Sequence, residues 1–142
     1  VLTTDKSEEG KAILPNVAAS IKKKIKEHQL AKEDIAGIGV GVPAPVTADG
    51  VVNGSANLGW KYKEVKKELE ELTGLTAAIG NDANVAALGD MWNGGGAGEK
   101  NMIMVTLGTG DGGGVIIDGK MRVGQNGAGG EIGHRCVNCE ET

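Results

Sequence analysis

Between Gly10 and His28 the apolar residues Ile13, Val17, Ile21 and Ile25 recur every four positions while lysines fill the opposite face. This spacing predicts an amphipathic helix lying on a core. Pro15 falls in its first turns, where proline is tolerated. After a polar turn, residues 35–42 form a short β-branched run ended by Pro43 and Pro45, which predicts a buried strand. The stretch from Thr47 to Gly59 has turn residues throughout. Tyr62, Val65, Leu69 and Leu72 then mark a second amphipathic helix stopped at Thr73-Gly74, and a short strand is predicted from Thr76 to Ile79. Helix followed by buried strand is the rhythm of an α/β protein.

The second half is punctuated by glycine. Gly80-Asn81-Asp82-Ala83-Asn84 sits at a strand-to-helix corner, followed by Val85, Ala86, Leu88, Gly89 and Trp92 at helical spacing. A break at Gly94–Gly98 precedes a buried apolar strand, 102–107, and then the run Gly108-Thr109-Gly110-Asp111-Gly112-Gly113-Gly114. Val115–Ile117 and Lys120–Val123 flank Asp118-Gly119, a strong signal for a two-residue hairpin. The break divides the expected organisation into residues 1–98, a partial N-terminal α/β lobe, and 99–142, the start of a C-terminal lobe.

Composition narrows the class. The chain has 142 residues, 39% of them hydrophobic and 24% charged, which is too apolar for a disordered tail and contains no run long enough for a membrane span. Its 25 glycines are about two and a half times the usual share of roughly 7%. The formal charge of -4 argues against a general electrostatic grip on nucleic acid or anionic lipid, so an anionic ligand would need local donors. Cys136 and Cys139 both lie in the last seven residues and cannot staple a domain, and the first residues carry no secretory pattern, so a cytoplasmic setting is expected.

Several clusters could carry chemistry. The glycine run follows a strand and can present successive backbone N–H groups to a phosphate. It lacks the Lys-Ser/Thr of a Walker loop, and it precedes a hairpin rather than the helix of a dinucleotide fingerprint. A plain tight turn is the competing reading, although a turn needs fewer glycines. Asn81 and Asp82 stand at the C-terminal end of a strand, where open α/β sheets place ligands, and also where a helix needs an N-cap; one can cap while the other faces a cleft. Glu131 and His134 are three apart, so on a helical turn they share a face suited to sugar hydroxyls or to a metal ligand with its neighbour; a solvated pair is the alternative. Cys136-Val137-Asn138-Cys139 with His134 offers three possible zinc ligands where a structural site wants four, against a reading as free thiols or as one ligand of a site completed elsewhere.

Taken in order, Asn57-Leu58-Gly59-Trp60, residues 81–90, Leu107-Gly108-Thr109-Gly110 with its glycine tail, and residues 127–134 make the chain resemble the ROK family of sugar kinases and repressors, bacterial glucokinases among them. The resemblance implies an actin-like ATPase (ribonuclease H-like) α/β fold with ATP and sugar between two lobes. It implies Asp82 as the catalytic base on the sugar 6-hydroxyl, and Asn81, Glu131 and His134 as sugar contacts. Gly108, Thr109, Gly110, Gly112 and Gly113 match a phosphate segment. ATP, Mg²⁺ and glucose or a close hexose are the implied ligands. A structural zinc held in part by His134 and a homodimer are implied for the full-length protein.

The chain also departs from the family pattern. It starts after the expected Asp-x-Gly-Gly-Thr phosphate hairpin and stops short of the zinc cysteine cluster and the adenosine site, so residues 1–142 alone are expected to be inactive. Asp111 replaces a small apolar residue in the phosphate segment, Ala44 a glycine, and Thr47 an acidic residue. Phosphorylation of a hexose at its 6-hydroxyl is the expected activity of the parent protein. The alternatives are a sugar-sensing ROK repressor and a degenerate, non-catalytic homologue.

Overall fold

The computed structural model describes residues 3–108, 110–125 and 127–134. By packing, the chain divides into two compact units, Val1–Gly80 and Asn81–Thr142. The lobe boundary expected after Gly98 falls inside the second unit. There Asp90 folds the glycine break back onto its own helix, its two carboxylate oxygens accepting from Gly95 N–H at 3.1 Å and Gly96 N–H at 3.0 Å.

The first unit opens with a single turn, α1 (Ser7–Gly10), in which Glu8 and Glu9 have positive φ. Helix α2 (Ile13–Glu27) follows, then a 3-10 turn, η1 (Lys32–Asp34), strand β1 (Ile38–Val42), helix α3 (Val65–Thr73) and strand β2 (Ala77–Asn81), which pairs with β1. Helix α2 starts three residues later than its hydrophobic pattern suggests because Gly10 is used otherwise. At φ +67 it lets its carbonyl accept from the buried Trp60 Nε1–H at 3.2 Å. Gly74 ends α3 in the left-handed conformation, its N–H donating to Glu70 O. Tyr62, expected on the apolar face of that helix, lies before its start and is exposed.

The core of this unit joins Leu14 and Ala18 of α2, Val65 and Leu69 of α3, Val42 and Ala77 of the strands, and Val46, Val52 and Trp60 of the intervening segment. That segment is more organised than its turn-rich composition suggests. Isolated bridges Val46–Val52, Val52–Lys63 and Ser55–Trp60 fold it into short pairings around a fully buried Val52. Thr47 closes one of these turns: its hydroxyl accepts from Val51 N–H at 3.1 Å. Ala44 is buried in the same core. Strand β1 differs from the expected buried strand in being shorter and in leaving Gly39 and Gly41 exposed on one face.

The second unit is helix α4 (Asp82–Asn93) packed on an antiparallel sheet of β3 (Met102–Leu107), β4 (Asp111–Ile117) and β5 (Lys120–Met121), with a 3-10 turn, η2 (Ile132–His134), against β4. The β4–β5 turn is as expected: Asp118 and Gly119 have φ 54 and 71, and Ile117 pairs with Lys120.

One expectation for this unit is corrected. Strand β3 is not buried on both faces: alternate residues Ile103, Val105 and Leu107 are 70%, 52% and 81% exposed, because α4 covers only the face of Met102, Met104 and Thr106. On α4, Ala83, Asn84 and Ala87 are buried while Val85 and Trp92 are exposed, and the glycines of β4 let the Ala83 and Ala87 methyl groups come up against the strand.

Candidate functional site

Strand β2 ends at Asn81 and α4 begins at Asp82 with no loop between them. Asn81 keeps an extended backbone, and its Oδ1 accepts from Asn84 N–H at 3.1 Å, which makes it the N-cap of α4. Asp82 is exposed at the positive end of the helix, and its Oδ1 accepts from Ala83 N–H at 2.9 Å. The capping role weighed for this pair therefore belongs to Asn81. Asn81→Ala should cost about 1 kcal/mol of stability and Asn81→Asp almost none, as read from urea denaturation midpoints. An unchanged midpoint in the alanine variant would show that the Asn84 N–H finds another acceptor.

The glycine run does not form one loop. Gly112, Gly113 and Gly114 lie within β4, paired with Thr106, Val105 and Met104, and Gly108 and Gly110 lie in the turn before it, where Gly108 N–H donates to Gly110 O at 3.2 Å. The reason is close approach. A Cβ on Gly112 would lie 3.0 Å from Ala83 Cβ, and one on Gly114 would lie 2.5 Å from Ala87 Cβ. On the other face of the strand, a Cβ on Gly113 would lie 2.5 Å from Gly130 O. Glycine at these places is what lets helix, strand and the 130–133 segment pack together. The turn glycine Gly110 is different: a Cβ there would meet nothing within 4 Å.

These packings gather the motifs. Gly112 of β4 touches the residue that follows Asp82, and a Cβ on Gly133 would lie 2.5 Å from the carbonyl of Asp111. Asp82, the Gly108–Gly110 turn and the half-buried Glu131 are thus carried by segments that meet around the first residues of β4. Asp111, the first of them, is exposed. The roles expected of Thr109, of the His134 side chain and of Cys136 and Cys139 fall outside the described residues. Among the described residues, no group of three or more His, Cys, Asp or Glu could hold a metal ion.

Sequence reasoning passed over Asn84. It is 6% exposed, and its Oδ1 has no hydrogen-bond partner among the described residues. The only signal for it was a polar residue on the same helical face as Ala83 and Ala87.

A model of the ROK family matches residues 2–142. The chain belongs to the ROK family. This ROK chain is 44% identical over 137 residues to a glucokinase of Halalkalibacterium halodurans, covering 96% of the chain and 42% of that protein. It is 34% identical over 122 residues to the xylose repressor of Caldicellulosiruptor bescii, covering 85% of the chain and 31% of that protein. Among solved structures it is similar to a ROK family glucokinase from Streptomyces griseus in complex with glucose and AMPPNP. The TM-score is 0.81 at 33% identity, and the match covers 96% of this ROK chain and 42% of the other. Its fold is the α/β, actin-like ATPase fold of these sugar kinases. The ROK chain spans about two fifths of the length of the relatives it matches. None of its described helices is long and apolar enough to cross a membrane.

Proposed function

We propose that the whole protein transfers the γ-phosphoryl group of ATP to the 6-hydroxyl of glucose or a close hexose. The observation that carries this is the division of labour at the start of α4: Asn81 caps the helix, which leaves the Asp82 carboxylate exposed and available to a substrate hydroxyl. In the proposed reaction Asp82 accepts the 6-hydroxyl proton as that oxygen bonds to the γ-phosphorus, and the bond from phosphorus to the β–γ bridging oxygen breaks to release ADP. Phosphoryl transfer is mostly positioning and charge neutralisation, so one oriented base, backbone donors and a bound Mg²⁺ supply the required parts.

Asn81, Glu131 and His134 are the proposed sugar contacts. The proposed phosphate segment is Gly108, Thr109 and Gly110, and a Cβ on Gly110 would meet nothing within 4 Å. Gly112 and Gly113 serve it by seating the turn against α4 and the 130–133 segment. A structural zinc held in part by His134, a homodimer and a cytoplasmic location belong to the same proposal. The glucokinase of Halalkalibacterium halodurans and the glucose complex from Streptomyces griseus support the hexose.

The similarity to a xylose repressor favours one second reading, a sugar sensor without phosphoryl transfer. Incubating the full-length protein with ATP, Mg²⁺ and glucose and measuring glucose 6-phosphate separates the two. Turnover supports the kinase, and saturable sugar binding without turnover supports the sensor.

Asp111 gives a further expected outcome. A carboxylate beside the phosphate turn opposes the bound anion, but this side chain is exposed at the edge of the turn, where water screens it. Asp111→Val should therefore leave ATP affinity unchanged or tighten it modestly in an equilibrium titration. A large loss of affinity that tracks Mg²⁺ concentration would instead make Asp111 a metal-facing residue.

A further inference from the structure

The first unit carries a groove of about 330 Å³ that shares no residue with the proposed kinase site. Leu30, Ile35 and Leu75 give it an apolar floor, and Lys22 and Lys26 from α2 and Lys32 from η1 supply its cations. Leu30 is 47% exposed, so the floor is open to a ligand.

The charges here run against the sign of the whole chain, whose formal net charge is -4. Neighbouring Lys24 and Lys23 share the one Glu27 carboxylate, at 2.7 Å and 3.8 Å. Among the described residues Lys22, Lys26 and Lys32 are in no ion pair, and no carboxylate lines the groove. Asp34, on the same turn as Lys32, is engaged by Ala31 N–H at 3.2 Å. Three unneutralised ammonium groups around one apolar floor make a local positive potential that falls off over a Debye length of about 8–10 Å.

We propose that this groove docks an acidic peptide segment of a partner protein. An aliphatic side chain of the segment sits on Leu30, Ile35 and Leu75, and Asp or Glu residues on either side of it meet Lys22, Lys26 and Lys32. The size fits, since the groove lies at the small end of ligand sites, roughly 300–1,000 Å³, and so takes one or two side chains rather than an acyl chain. A membrane surface would select a protruding apolar face, whereas this one is concave. Single-stranded nucleic acid would select aromatic or arginine stacking groups, and the lining has neither.

The test uses the full-length protein and fluorescence anisotropy with a labelled peptide of leucines set among Asp and Glu. An Asn/Gln counterpart of the same peptide, phosphatidylserine vesicles and a labelled oligothymidylate are the comparison probes. Binding of the acidic peptide should weaken with salt and fall at least about tenfold in the Lys22→Glu/Lys26→Glu variant, because like charges now face each other. It should fall several-fold in Leu30→Ser, while Lys120→Glu, in the other unit, leaves it unchanged. The proposal is overturned if the acidic peptide does not bind at submillimolar concentration, or if the amide peptide binds equally well. It is also overturned if neither groove variant weakens binding, or if vesicles or oligothymidylate alone bind in a Lys22- and Lys26-dependent way.

Discussion

Asp82→Asn in the full-length protein should abolish glucose phosphorylation while leaving glucose binding largely intact. The amide has the shape of the carboxylate and its oxygen can still accept from Ala83 N–H, the 2.9 Å hydrogen bond seen here. The cap of α4 is untouched, because it is made by Asn81. Loss of the negative charge at the helix N-terminus should lower stability by no more than about 0.3–1 kcal/mol. What the amide cannot do is take a proton, and a positioned general base contributes about 10²–10⁴-fold to rate. Single-turnover phosphorylation and calorimetric glucose titration on the same preparation check both halves of the expectation. If the variant kept a tenth or more of wild-type turnover, Asp82 would be reduced to a favourable charge at the start of a helix.

Gly114→Ala should destabilise the protein by about 1–3 kcal/mol, the usual cost of forcing an extra carbon into a packed interface. The new Cβ would lie 2.5 Å from Ala87 Cβ and 3.3 Å from Ala83 O, so helix and strand would have to part. Ala87→Gly alone should also destabilise, by about 1 kcal/mol, because glycine is a poor helix former. The two changes should not add. In the Gly114→Ala background, Ala87→Gly removes the clashing carbon and should raise the urea midpoint instead of lowering it. If Ala87→Gly lowered the midpoint equally in both backgrounds, the close approach of α4 to β4 would not be what requires glycine at 114. The same double variant reports on the proposed site, since this contact seats the Asp82-bearing helix on the strand that follows the proposed phosphate segment.

Signals confined to a few neighbouring residues were legible in the sequence. The four-residue spacing of Ile13, Val17, Ile21 and Ile25 specified α2, because side chains four apart share a helical face whatever the rest of the chain does. Thr73-Gly74 specified the end of α3, and Asp118-Gly119 a turn with both residues at positive φ, because those backbone conformations are local demands that few residue types meet. The motifs that mark the ROK family were equally plain, including the Asn81-Asp82 pair.

Tertiary structure decided everything that depends on what a surface meets. Whether Asn81 or Asp82 caps α4 was undecidable from composition, since both side chains can accept from an N–H, and only the backbone path assigns the hydrogen bond to Asn81. The glycine run points to a phosphate cradle by sequence, whereas in the fold three of its glycines lie in β4, which pairs with β3 and has α4 against one of its faces and the 130–133 segment against the other. Glycine answers two demands, an unusual backbone angle and the absence of a side chain, and the second exists only once another element has arrived. Val52 and Trp60 were hidden among turn residues for the same reason: isolated bridges leave no periodicity, so their burial is set by the walls that α2 and α3 place around them.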